Sequence, residues 1–180
     1  ITATIAAGGN YAANTSGAIT QTVNKATPSV SAWPTASAIS YGQTLTSSTL
    51  TGGTASVSGT FAWTTPSTAP GVGMPSESVT FTPSNTTDYA PVTGLINVTV
   101  NKATPTLSAW PTASAITYRQ TLASSALTGG TASVSGTFAW TMPSTAPGAG
   151  TPSESVTFTP TDTTDYNPVS GSVSVTVSKA

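Results

Sequence analysis

Cysteine and histidine are both absent from this chain of 180 residues, and only nine side chains carry charge. Without cysteine there is no disulfide framework and no thiol chemistry; without histidine the commonest transition-metal ligand and general base are missing. Charged residues make up 5% of the chain, against roughly 25% in an ordinary soluble domain. A net charge of −1, with only four Lys and Arg, offers no basic patch for nucleic-acid phosphates or anionic membrane surfaces. No apolar run approaches the roughly 18 residues of a membrane span, so membrane insertion is not expected. The chain starts at Ile1 with neither a Met nor a charged-then-apolar leader, as expected of a processed product or a portion of something longer.

What is present is hydroxyl: 39 Thr and 26 Ser dominate the polar share. Ser, Thr, Pro and Gly enrichment with few charges can mark a flexible stalk, but the periodicity here predicts folded strands. TFAWT at 60–64, SVTFT at 78–82, NVTV at 97–100 and SVSVTV at 172–177 alternate apolar and small polar residues. Period-2 patterning on residues of high β-propensity marks strands with one buried face. Between them stand Gly and Pro punctuators, and no segment reads as a helix.

The strongest feature is a repeat. Residues 25–101 are followed almost word for word by 102–178, a period of 77 with 60 identical positions. Gly42 to Arg119, Thr65 to Met142 and Leu95 to Ser172 change character, which predicts exposure at those three places. Residues 1–26 end in SGAITQTVNKA, matching GLINVTVNKA and GSVSVTVSKA, so they read as closing strands of an incomplete, divergent module. The expected units are 1–26, 27–103 and 104–180. Within the first full unit the pattern predicts strands near 28–33, 36–41, 43–50, 54–57, 59–65, 76–82 and 91–100. Short strands separated by turns in under 100 residues imply an all-β antiparallel sandwich. Its expected core is Val30, Trp33, Ile39, Leu45, Leu50, Val57, Phe61, Trp63, Val79, Phe81, Tyr89, Val92, Ile96, Val98 and Val100.

Candidate chemistry is sparse. Asp162 and Asp165 could offer oxygens to a calcium ion, but the first repeat has Asn85 and Asp88 there and no third acid is near in sequence; a turn held by side-chain-to-backbone bonds is the simpler reading. Glu77 and Glu154 have no acid partner at fixed spacing, which removes paired-carboxylate hydrolysis and leaves them as surface charges. Trp33, Tyr41 and Tyr89, with Trp110, Tyr118 and Tyr166, could form a sugar-stacking platform, against packing in the core or at a sheet edge. Three Asn-x-Ser/Thr triplets, at Asn14, Asn85 and Asn97, are of the kind a Thr-rich chain produces by chance. No catalytic, cofactor-binding or metal residue is assigned, and no cofactor is expected.

YGQTL, GTFAW, SVTFTP with TTDY after it, and VTVNKATP at the junction together resemble bacterial Ig-like repeats, which occur in long arrays in large secreted and surface-attached proteins. The opening ITATIAAGGNYAANTSGAITQTVNKA resembles the final strands of another bacterial Ig-like type, although Gly9 and Asn10 stand where an acidic residue is common. The resemblance covers the whole chain and implies an elongated array of Ig-like sandwiches outside the cell or on its surface. It implies a spacer, stalk or fibre shaft without catalysis, whose partners are other modules or neighbouring identical chains. Two alternatives accompany it: a filament subunit whose residues 1–26 complete a neighbour's sheet, with Ile1, Ile5, Ile19 and Val23 as its apolar contacts, and an adhesin module contacting cell-surface glycans. A surface-adhesin reading also raises an isopeptide bond from Lys25, Lys102 or Lys179 to Asn97 or Asn101, but the second repeat has Ser174 and Ser178 there. A linker lysine that keeps the junction solvated competes with it.

Overall fold

The computed structural model describes residues 4–5, 14–18 and 21–180, with the side chains of Ile5, Asn14 and Thr15 left aside. It is all-β. Small sheets follow one another along the chain, and no α-helix occurs among the described residues. No helix there is long and apolar enough to cross a membrane.

Alternation along SESVTFTP makes Ser76–Pro83 the central strand of the first repeat. It buries Val79, Phe81 and Pro83 on one face. Gly59–Trp63 and Val92–Asn97 flank it, both antiparallel, with Phe61 and Val92 on either side of Phe81. Separate, shorter antiparallel pairs accompany this sheet: Val30–Ala32 with Thr54–Ala55, and Thr35–Ala36 with Leu50–Thr51. The same pairings recur at the matching positions of the second repeat, around Ser153–Pro160. Two pairs depart from antiparallel order. Val100–Asn101 runs parallel to Ile39–Ser40, and Val177–Ser178 runs parallel to Ile116–Thr117. An early strand and the closing strand of each repeat therefore point toward the same end.

The predicted strand at 43–50 forms only at its last residue, where Leu50–Thr51 begins. A 3-10 turn at Leu45–Ser47 replaces its first part. The tight helix brings i and i+3 onto one face, so Leu45 and Ser48 are buried together. Ser48 then acts as a polar hinge pin: its hydroxyl donates to the Ser37 carbonyl at 2.6 Å, and its own carbonyl accepts the Trp63 indole N–H at 3.0 Å. Likewise, the expected strand 91–100 breaks in two at Val98 and Thr99.

Of the expected core, Ile39, Leu45, Trp63, Val79, Phe81, Val98 and Val100 are buried. Val30, Trp33, Leu50, Val57, Phe61, Tyr89, Val92 and Ile96 are half-buried, because a thin module has more rim than centre. Trp33 lies with its ring edge over Gly94, where an added Cβ would collide with the indole. Glycine in mid-strand is thus a packing requirement. Gly42, Arg119, Thr65, Met142, Leu95 and Ser172 are all exposed, as the substitution pattern predicts. Every buried side-chain N or O among the described residues has a hydrogen-bond partner.

Candidate functional site

The acidic turns are locally satisfied. Asp162 Oδ1 accepts the backbone N–H groups of Thr164 and Asp165 at 3.0 and 3.1 Å. Asn85 Oδ1 does the same for Thr87 and Asp88, and its Nδ2 donates to Asp88 at 2.8 Å. These are the side-chain-to-backbone turns read from the sequence. Among the described residues no three acidic side chains gather as a metal site would require. Glu77 and Glu154 are half-buried, opposite Ile96 and Val173.

Beside each turn runs the chain that leads into the repeat. Ala26 N donates to Asp88 O at 2.8 Å, and Ala90 N to Ala26 O at 2.9 Å. Ala103 is held in the same way by Asp165 and Asn167. The lysine before each alanine reaches across: Lys25 Nζ donates to the Thr86 carbonyl at 2.6 Å, and Lys102 Nζ to the Thr163 carbonyl at 2.5 Å. Both ammonium groups are therefore clips on a turn distant in sequence, bonded to backbone carbonyls and not to an asparagine carboxamide.

The aromatic candidates separate into two groups. Trp33 and Trp110 pack edge-on to Phe61 and Phe138, at 5.8 and 6.0 Å between ring centroids, so they belong to the sheet-to-sheet contact. The tyrosines stand at the ends of the repeats. Tyr41 N donates to Asn101 O at 2.8 Å, which fixes Tyr41 at the trailing end of the first repeat. There its ring meets that of Tyr166, from the leading end of the second, edge to face at 5.5 Å and 84°. The Asp165 carboxylate, through hydrogen bonding first and its negative charge second, raises the Tyr41 pKa above its ordinary value. A phenol held beside a carboxylate resists losing its proton.

This contact between Tyr41, Asp165 and Tyr166 is the feature that sequence reasoning missed. A signal for it exists: the tyrosines of YGQTL and TTDY recur in both repeats, and both are anchored next to the junction. The second repeat's counterpart of Tyr41, Tyr118, is 46% exposed and lies under the Arg119 guanidinium at 5.9 Å. At the opposite end, Val23 to Ala26 and Thr87 to Tyr89 line an open cavity of about 420 Å³. A second groove, about 510 Å³, opens above Phe138 and Phe158 and has no titratable group in its lining. Compared with family models and with curated proteins, the chain matches none.

Proposed function

We propose that this chain is a structural element, an extracellular or cell-surface spacer whose Ig-like sandwiches are joined end to end, with no catalytic step. The observation that carries the reading is the junction. Asn101 is still in the ladder with Ser40, Lys102 is already bonded to Thr163, and Ala103 bridges Tyr166. No residue is left over as a flexible spacer, and the ring contact of Tyr41 with Tyr166 braces the joint from a second side.

Length follows from the strands. Residues 169–178 carry the chain from the leading to the trailing end of a repeat, and ten extended residues span about 33 Å. Each repeat then adds about 35–45 Å to a rod. Charge agrees with such a role: seven of the nine charged side chains sit in turns and at repeat ends, and the other two, Glu77 and Glu154, stand near the start of the central strands. Small-angle scattering tests the reading. A maximum dimension of about 80 Å for residues 25–178 within the chain supports it, and a folded-back pair about half as long overturns it.

One observation favours a second reading, strand addition to a neighbouring chain. Val23 is 85% exposed, whereas its counterparts Val100 and Val177 are 2% and 3% exposed in closing strands. Thr4–Ile5 pairs with Asn14–Thr15; Ile1, Asn10, Tyr11 and Ile19 lie outside the described residues. An exposed valine at the position of a closing strand is the feature on which pairing with a neighbouring chain would rest. Deleting residues 1–24 should abolish filaments seen by negative-stain microscopy on this reading, and should leave assembly unchanged on the first. For glycan binding there is less support, since Trp33 and Trp110 are committed to packing.

A further inference from the structure

We infer that Tyr41 and Tyr166 are an oxidative cross-linking site, at which a one-electron oxidant of the haem-peroxidase class, using hydrogen peroxide, joins the two rings and staples the repeats covalently. The staple rests on the proposed spacer reading and deepens it, because it seals the same junction.

One short segment of chain holds both rings in place. Tyr41 N donates to Asn101 O at 2.8 Å, and Tyr166 is bridged to Ala103, so the two backbones are tied on either side of Lys102. Lys102 in turn clips the Thr163 carbonyl of the turn that carries Tyr166. The rings meet edge to face with their centroids 5.5 Å apart, and rotation about the side-chain torsions closes the remaining gap while the backbone ties stay made. Both tyrosines are half-buried, so electron loss does not require unfolding. Among the described residues no other two tyrosine rings are in contact. Tyr89 lines the cavity at the leading end of the first repeat, and Tyr118 lies under Arg119 at the trailing end of the second. With no cysteine in the chain a disulfide cannot lock the joint, and this pair of phenols is the oxidisable group placed across it.

Asp165 gives the chemistry a place for the proton. Its carboxylate is hydrogen-bonded with Tyr41. The bond that keeps the proton on the resting phenol also receives it when the electron leaves, so a neutral phenoxyl radical forms instead of a charged one. Tyr166 loses one electron in the same way and gives its proton to water. The two radicals pair at ring carbons ortho to oxygen, which makes one carbon–carbon bond. The hydrogens on those two carbons then leave as protons while two protons return to the oxygens, restoring both phenols. The net loss is two electrons and two protons, and one hydrogen peroxide takes them up to become two waters.

The test treats the full chain with peroxidase and hydrogen peroxide, as an equal mixture of unlabelled and 15N-labelled protein, and identifies coupled peptides by mass spectrometry. Tyr41 should be found joined to Tyr166 within single isotopic species, at a yield that does not change on dilution. Tyr41→Phe and Tyr166→Phe should each abolish that peptide, and Tyr118→Phe should leave it unchanged. Asp165→Asn keeps the backbone bond from Ala103 and should slow the coupling by about tenfold or more, while oxidation of exposed Tyr118 keeps its rate. An equal coupling rate in Asp165→Asn would overturn the carboxylate's part. Products that join tyrosines indiscriminately, or that appear only in mixed isotopic pairs, would overturn the site. Small-angle scattering before oxidation separates the two readings: an extended chain that fails to couple removes the staple and leaves the spacer, whereas a folded-back chain removes both.

Discussion

Most positions are identical between the two repeats; Ile96 and Val173 differ within the core, and most of the other differences are exposed. Leu45 and Leu122, Trp63 and Trp140, Val79 and Val156, Phe81 and Phe158 are buried alike. At the trailing ends the repeats part. Tyr41 is covered by Tyr166, whereas Tyr118 is open and carries Arg119 over its ring. In the turn that follows, Gly42 has φ 85° and Arg119 has φ 77°. The same left-handed conformation is therefore enforced on a residue that favours it and on one that does not. Packing around the turn decides the backbone, through Gln43 N to Ser40 O at 3.0 Å and Gln120 N to Thr117 O at 2.9 Å, and the side chain accommodates.

The largest way to break the likeness is at its centre. Trp63→Ala removes a buried indole and its bond to Ser48, and should destabilise the first repeat by about 3–5 kcal/mol. Calorimetry should then show one transition displaced and the other retained, with Trp140→Ala giving the mirror result. If either variant lowers both transitions equally, the repeats melt as one unit. Next comes Gly94→Ala, which drives a methyl into the Trp33 ring; about 1–3 kcal/mol is the expected loss by chemical denaturation, and Gly171→Ala should match it at Trp110.

A smaller effect sharpens the comparison in the opposite direction. Arg119→Gly relieves the left-handed turn and should stabilise the second repeat by about 1 kcal/mol, while Gly42→Arg costs the first about as much. Equal melting shifts of the same sign in both variants would remove backbone strain as the explanation. The smallest signal is in pH. The Tyr41 pKa is raised in the folded chain, so the contribution of its contact with Asp165 is complete below the ordinary tyrosine value of about 10 and is lost as pH rises through the raised value. Ultraviolet titration of wild type should show one phenol ionising late that Tyr41→Phe lacks; identical late phases would show that the carboxylate does not hold it.

Much of the fold is legible in the sequence because one-sided burial writes itself as alternation. SESVTFTP and GTFAW declare their strands and place Val79, Phe81 and Trp63 inward. LTSSTL at 45–50 reads as extended because its hydroxyl residues have high β-propensity or are neutral, yet one tight turn is too short to leave a period of its own. Trp33 and Phe61 read as fully buried because large rings usually are; in so thin a layer they seal the rim. The junction is hidden for a different reason. Tyr41 and Tyr166 lie in different repeats, far apart in sequence, and only the fold tells which end of a repeat each one occupies.

The parallel pairing of Val100–Asn101 with Ile39–Ser40 has a mechanical meaning. In each repeat the chain passes through Ile39–Ser40 soon after its leading end and leaves directly from Val100–Asn101. In the proposed spacer, a pull along the chain would drag the closing strand outward while the rest of the repeat is held from the other end. The bonds Ile39 N to Thr99 O at 2.9 Å and Tyr41 N to Asn101 O at 2.8 Å lie across that motion. They are loaded together in shear and cannot be peeled one by one. Single-molecule stretching should find rupture forces lowered when Thr99→Pro and Asn101→Pro kink this strand, and unchanged forces would place the resistance elsewhere. On the proposed spacer reading, load would pass through short backbone ladders, so strength would be set strand by strand while reach would be set by how many repeats are joined.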